Sequence, residues 1–179
     1  MDEHLTKHVV YLIGCGTPNV QQFYNLIPLL QAAHWEVCVI LTPYATRFVD
    51  GDRLAQQTGH PVRSDYQQPG AADGLPKADG ILAYPATFNT INKWALGISD
   101  TLALGLLCEF TGMKLPILAC PVVRQGKLAE HPAFRRSLRM LRRYGVHVFY
   151  EPELYPPRNE LPNTIIVDQW HNILAQKEK

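Results

Sequence analysis

Thr87, Asn89 and Thr90 place two hydroxyls and a carboxamide within four residues, directly after an apolar run that closes at Pro85-Ala86. Short donors and acceptors of this kind suit the ring carbonyls and ring nitrogens of a heteroaromatic ligand, and few core-packing needs call for them together. The plain alternative is that Thr87 caps the next helix with no ligand present. The run before them, 77–84, is short, mostly apolar and bounded by turn residues, which predicts a buried parallel strand. In open α/β sheets ligands bind outside the carboxyl ends of such strands, so these residues stand where a pocket is expected.

Gly14-Cys15-Gly16-Thr17 follows an earlier apolar run and matches half of a dinucleotide fingerprint, but the position of the third glycine holds Asn19. That departure argues against a nicotinamide cofactor. Backbone amides at a helix start would still favour phosphate, with the Thr17 hydroxyl as an added donor. The other reading is a tight turn that needs glycine for its backbone angles. Thr42 and Phe48 lie past the next strand, beside the first, and would reach the same ligand; helix capping and core packing explain them equally well. His131 follows the loop after a later strand, near the sheet's functional edge, where it is either a reactive imidazole or a helix-capping or surface residue. Arg135, Arg136, Arg139, Arg142 and Arg143 crowd one helical segment, to bind an acidic substrate or to form a solvated face.

Composition narrows the classes. A chain of 179 residues suits one domain spanning 1–179, and a formal charge of +1 gives no global attraction to nucleic acid or an anionic membrane. No apolar run approaches the roughly 20 residues of a membrane-spanning helix, and the polar start does not resemble a signal peptide, so a cytoplasmic location is expected. Cys15, Cys38, Cys108 and Cys120 are scattered singly, and His4 and His8 read as part of an ordered tail, so no metal site is expected.

The elements that must position the polar residues alternate. Strands are predicted at 9–13, 36–41, 61–63, 79–84, 115–120 and 146–150. Helices are predicted from Phe23 to Ala33, from Thr42-Pro43 for a short stretch, and at 52–58, 88–96, 99–111, 132–144 and 165–175. The segment 64–76 holds two Pro and two Gly with no period and reads as a loop, as does the Pro-rich 152–162. Alternation of this kind predicts an α/β fold, a doubly wound parallel sheet with helices on both faces.

Pro85-Ala86-Thr87-Phe88-Asn89-Thr90 resembles the PASANT motif of the homo-oligomeric flavin-containing cysteine decarboxylases, the family of lantibiotic peptide decarboxylases and phosphopantothenoylcysteine decarboxylase. Gly97-Ile98-Ser99-Asp100-Thr101-Leu102 is similar to that family's GIADNL stretch, and 42–48 to its second-strand exit. The resemblance implies a Rossmann-like (flavodoxin-like) subunit binding FMN, or FAD in place of it, at subunit contacts within trimers or dodecamers. By position, Gly14, Gly16 and Thr17 would meet the phosphate, Thr42 and Phe48 would flank the ring, and Pro85, Ala86, Thr87, Asn89 and Thr90 would hold it. The implied reaction is oxidation of a peptide or small-molecule cysteine thiol to a thioaldehyde, from which carbon dioxide leaves to give an enethiol, as in lanthipeptide maturation.

The chain departs from that family at two places. The family's catalytic His lies before the PASANT strand, and 65–79 contains no His; the PMNxxMW motif becomes Pro121-Val122-Val123-Arg124-Gln125-Gly126-Lys127. The candidates to act instead are His131, Arg124 and Asp73, with Arg124 or Lys127 available to a substrate carboxylate and 150–163 as a covering flap. The alternative is a flavin-binding protein of the same fold without cysteine decarboxylase activity. No cysteine follows Cys120, which sets the chain apart from the reductive phosphopantothenoylcysteine branch.

Overall fold

The computed structural model describes residues 8–68, 70, 74–124, 126–156 and 161–177. Five parallel strands, β1 (His8–Gly14), β2 (Trp35–Leu41), β3 (Gly80–Ala86), β4 (Ile117–Pro121) and β5 (His147–Val148), form one sheet in the order β2-β1-β3-β4-β5. That order is the flavodoxin-like 2-1-3-4-5 arrangement, whose switch point falls between β1 and β3. Among the described residues six helices flank it: α1 (Phe23–Ala32), α2 (Gly51–Thr58), α3 (Phe88–Ala95), α4 (Leu102–Gly112), α5 (Pro132–Arg143) and α6 (Asn163–Lys177).

The central strands are apolar on both faces because both faces are covered. Alternate residues of β1 split between two cores. Tyr11 and Ile13 join Ile81, Ala83, Leu107, Phe134 and Leu141 beneath α3, α4 and α5. Val10 and Leu12 join Phe23, Ile27, Leu82, Leu118 and Trp170 beneath α1 and α6. This two-sided burial is why the strands read as continuous hydrophobic runs rather than alternating ones.

Local chemistry sets the helix ends. Thr87, in extended conformation, caps α3 by accepting the Thr90 N–H at 3.4 Å, and Thr101 caps α4 by accepting the Leu104 N–H at 3.3 Å. Within α1, Pro28 lacks the N–H that would bond the Tyr24 carbonyl one turn back. Gln57 of the neighbouring α2 fills that need, its Nε2 donating to the Tyr24 carbonyl at 2.8 Å.

Several sequence expectations change. The brief strand at 61–63 is a single bridge between Ile40 and Arg63, with Leu41 N–H donating to the Arg63 carbonyl at 2.8 Å, so the strand at 79–84 is third rather than fourth. Pro61 cannot donate to a ladder, which limits the pairing. No helix begins at Pro43; a 3-10 turn forms at Ala45–Arg47, its Ala45 N–H donating to the Thr42 carbonyl at 2.9 Å. The last strand shortens to His147–Val148, and α4 starts at Leu102 because Thr101 takes the cap. The pairing of β3 with β4 slips between Ala83 and Ala86, where Pro85 interrupts the donors.

No helix among the described residues is long and apolar enough to cross a membrane. Among the described residues no cluster of His, Cys, Asp or Glu is arranged to hold a metal ion.

Candidate functional site

A cavity of about 700 Å³ opens at the carboxyl ends of β1, β2, β3 and β4. Its size falls within the roughly 300–1,000 Å³ typical of small-molecule and cofactor sites. Three segments wall it: Thr42-Pro43-Tyr44 after β2, the start of α3 after β3, and Val122-Val123-Arg124 after β4. The start of α4 closes a fourth side with Thr101 and Leu104.

The α3 wall carries the polar groups. Thr87 and Asn89 face the cavity on the first turn, where helix N–H groups lack intrahelical acceptors and a positive dipole end accumulates. Thr90 lies beneath them, only 3% exposed, with its hydroxyl 3.2 Å from that of Thr87. Thr87 is therefore both cap and cavity wall, so the two sequence readings of it are compatible. Phe88 also lines the cavity and stacks on Phe134 at 6.0 Å between ring centroids. Ser137 of α5, 4% exposed, pins the same helix by a 2.7 Å hydrogen bond to Asn92 Oδ1.

The turn after β1 supplies the floor. Cys15 N–H donates to the Pro85 carbonyl at 3.0 Å, tying β1 to β3 across the switch point. Its side chain is 1% exposed; burial pushes the thiol above its ordinary range, and hydrogen bonds with Thr90 and Thr87 offset this only in part. It is a protonated structural group, in keeping with thiols that are inert when buried in apolar surroundings. Neither Gly14 nor Gly16 has a positive φ. Their glycine character answers to space: a Cβ on Gly14 would stand 2.7 Å from Val20 Cγ2, and one on Gly16 would stand 2.5 Å from Tyr44 Cδ1.

Of the residues singled out in the sequence, Gly16, Thr42, Thr87, Asn89, Thr90, Arg124 and Lys127 converge on the cavity. Gly14, Thr17, Phe48, Pro85 and Ala86 stand behind it. Pro85 and Ala86 are buried strand residues, and Phe48 packs edge-on against Tyr44 at 5.7 Å. Thr17 N–H donates to the Cys15 carbonyl at 2.8 Å and its hydroxyl to Asn19 Oδ1 at 3.2 Å. With the Cys15 and Thr17 amides engaged and Pro18 lacking one, the turn offers an anion fewer donors than its sequence suggests.

His131 is exposed and caps α5, its Nδ1 accepting the Ala133 N–H at 3.1 Å while its ring meets Phe88 edge-on at 5.7 Å. It does not line the cavity. Asp73 lies outside the described residues. Sequence reasoning passed over Tyr44, Lys93, Thr101 and Leu104, which line the cavity. For Lys93 a signal existed, since it stands one turn beyond Asn89 on α3 and faces Asp100 across the turn, 2.5 Å away.

The donor set fits a flavin. Tyr44, Leu104 and Val122 offer apolar walls to a flat ring, and the Thr87 and Asn89 side chains offer hydrogen bonds along its polar edge.

The flavoprotein family model matches residues 1–174. The coenzyme A biosynthesis bifunctional protein CoaBC of Bacillus subtilis is 33% identical over 154 residues, covering 83% of this chain and 37% of that protein. The chain thus spans about a third of the length of the CoaBC relatives it matches. The epidermin biosynthesis protein EpiD from Staphylococcus aureus superposes with a TM-score of 0.64 at 28% identity, over 79% of this chain and 82% of that one. The cypemycin decarboxylase CypD superposes with a TM-score of 0.75 over 99% of both chains at 16% identity, which shows a common fold.

Proposed function

Because this chain belongs to the flavoprotein family, we propose that it is a flavin-dependent decarboxylase acting on a cysteine thiol, with a peptide C-terminal cysteine as substrate and FMN as cofactor. The observation that carries this reading is the cavity at the β1/β3 switch point, which brings Gly16, Thr42, Thr87, Asn89 and Thr90 from three strand ends onto one space.

A bound flavin would supply the two-electron oxidation that a side chain lacks. The chain's own residues bind and orient. Thr87 and Asn89 would hydrogen-bond the ring edge, Tyr44 and Leu104 would pack its faces, and Thr90 would fix the Thr87 hydroxyl from beneath. Closing the cavity around the thiol and carboxylate would exclude water and hold the reacting groups together, which is where positioning contributes most. The family resemblance implies that the subunit would work as a homo-oligomer, with a second copy completing the open side of the cavity.

The name of the similar EpiD structure places that protein in epidermin biosynthesis, and the CoaBC names point to coenzyme A biosynthesis. The flap segment 150–163 holds no cysteine, which supports the peptide-type reaction, in which the oxidised product is released as an enethiol.

A second reading, a flavin-binding protein without decarboxylase activity, is favoured by one observation. His131 caps α5 away from the cavity lining, and 65–79 holds no histidine to take the family's place.

One experiment separates the readings. The purified chain is examined for a flavin spectrum, its released cofactor is identified, and peptides ending in cysteine are incubated with it and weighed by mass spectrometry. Loss of carbon dioxide and two hydrogens supports the first reading. A yellow protein that leaves every such peptide intact supports the second, and a colourless protein that takes up neither FMN nor FAD rejects both.

A further inference from the structure

Cys15 sits behind the α3 wall of the cavity, 1% exposed, and its N–H bond to the Pro85 carbonyl at 3.0 Å fixes it against β3. Its thiol reaches the Thr90 hydroxyl and both the backbone and the hydroxyl of Thr87. Thr87 and Thr90 line the cavity and Cys15 does not, so the two threonines stand between the thiol and the ligand space.

Counting donors and acceptors gives this cluster a direction. A threonine hydroxyl carries one hydrogen and accepts at two lone pairs. The Thr87 oxygen already accepts the Thr90 N–H at 3.4 Å, and the Thr90 hydroxyl lies 3.2 Å from it. Thr90 is only 3% exposed, and among the described residues its hydroxyl meets the Thr87 hydroxyl and the Cys15 thiol. Sulfur is a weak acceptor, so the Thr90 hydrogen goes to the Thr87 oxygen. Burial keeps the Cys15 thiol protonated, and its S–H is then the donor left to fill the Thr90 oxygen. With both of its lone pairs taken, Thr87 has only its own hydrogen to offer, and a ring oxygen or nitrogen is a stronger acceptor for it than the sulfur behind.

We propose that Cys15 is a positioning residue of the cavity: its thiol donates to Thr90, Thr90 donates to Thr87, and Thr87 is thereby fixed as a donor toward an acceptor atom on the edge of the bound heteroaromatic ring. The proposal rests on the flavin-binding part of the decarboxylase reading and deepens it, since the chain selects an acceptor on the ring rather than an N–H. Hydrogen bonds in such a chain polarise one another, so a change at the buried end is felt at the cavity.

Two measurements test it. The S–H stretching band of Cys15 is isolated as the infrared difference between wild type and Cys15→Ser, and FMN affinity is read by fluorescence titration. The band is expected at the lowered frequency of a donating thiol, and Thr90→Val, which keeps the side-chain shape, should return it to that of a free one. Cys15→Ala is expected to weaken FMN binding about threefold to tenfold, the worth of one oriented hydrogen bond, while Cys15→Ser, which restores a donor, stays within about twofold of wild type. Thr90→Val should lose as much as Cys15→Ala, and the double variant no more than either, because each breaks the same chain. A band that Thr90→Val leaves in place overturns the proposal. So do additive losses in the double variant, or a Cys15→Ser loss equal to that of Cys15→Ala, which would leave the thiol a packing role alone. If the chain takes up no flavin, the functional reading falls, and the infrared comparison, which needs no flavin, still decides whether the thiol donates to Thr90.

Discussion

Tyr44 lies across Gly16 so closely that a methyl group on the glycine would stand 2.5 Å from the ring Cδ1 and 3.0 Å from Tyr44 Cβ. The turn after β1 and the exit of β2 are thereby packed as one surface of the cavity, with the Arg47 guanidinium 4.9 Å from the centroid of the same ring. Gly16→Ala should push Tyr44 off this surface and cost about 1–3 kcal/mol, the usual range for overpacking. Flavin uptake should fall with it. Adding Tyr44→Ala should recover most of the stability by urea denaturation and little of the flavin affinity. Additive stability losses in the double variant would show that the two residues do not press on each other.

Thr87 and Asn89 separate capping from ligand binding. Thr87→Val removes the oxygen that accepts the Thr90 N–H and should cost about 0.5–2 kcal/mol as well as flavin affinity. Asn89 is exposed to the cavity on the first turn of α3. Asn89→Ala should leave stability within about 0.5 kcal/mol, as for most exposed positions, while flavin content falls. Thr87→Ser should keep both properties. Equal flavin content in Asn89→Ala and wild type would remove Asn89 from the site.

How much of this was legible in the sequence differs by residue. Strand-buried runs such as 9–13 and 79–84 read directly, because two-sided burial leaves an uninterrupted apolar signature. The polar cluster at 87–90 read as a site because hydroxyls and an amide at a strand exit have few structural uses. Gly16 was legible as a turn residue, but its reason was not, since the contact with Tyr44 joins positions that only the β1–β2 pairing brings together. Leu104 stayed hidden for the same cause, looking like an ordinary helical residue until α3 and α4 converge, whereas Lys93 was within reach of sequence reasoning one turn beyond Asn89. For His131 the sequence places an imidazole near the sheet edge without saying that its ring caps α5 rather than joining the cavity lining.

That histidine yields a discriminating variant. Its Nδ1 accepts the Ala133 N–H as the cap of α5, a role that asparagine fills well. His131→Asn should retain stability and any decarboxylation, whereas His131→Ala should lose roughly 0.5–2 kcal/mol, the ordinary cost of a missing cap. Both are read by thermal denaturation and by mass spectrometry of the peptide product. Loss of turnover in the asparagine variant, with its stability intact, would make His131 a catalytic residue after all.

The buried thiols set the behaviour of the fold in alkali. Cys38 is fully buried in β2, and burial, with a smaller contribution from the Glu36 charge, pushes its thiol up to about 12 from an ordinary 9.0. Burial raises Cys15 and Cys120 in the same direction. An unfolded chain releases these protons at the ordinary thiol value while the folded chain keeps them, so above about pH 9 the folded state binds more protons than the unfolded one. Stability must then fall as pH rises from about 9 toward about 12, and these groups contribute no pH dependence below that window. Cys38→Ala will lower stability at every pH by leaving a small cavity. The informative quantity is the slope: between about pH 8 and about pH 11 the urea midpoint of Cys38→Ala should decline less steeply than that of the wild type. Tyrosine and lysine titrate in the same range in both proteins and cancel in the comparison, so parallel slopes would mean that the Cys38 thiol ionises as readily inside the sheet as outside it.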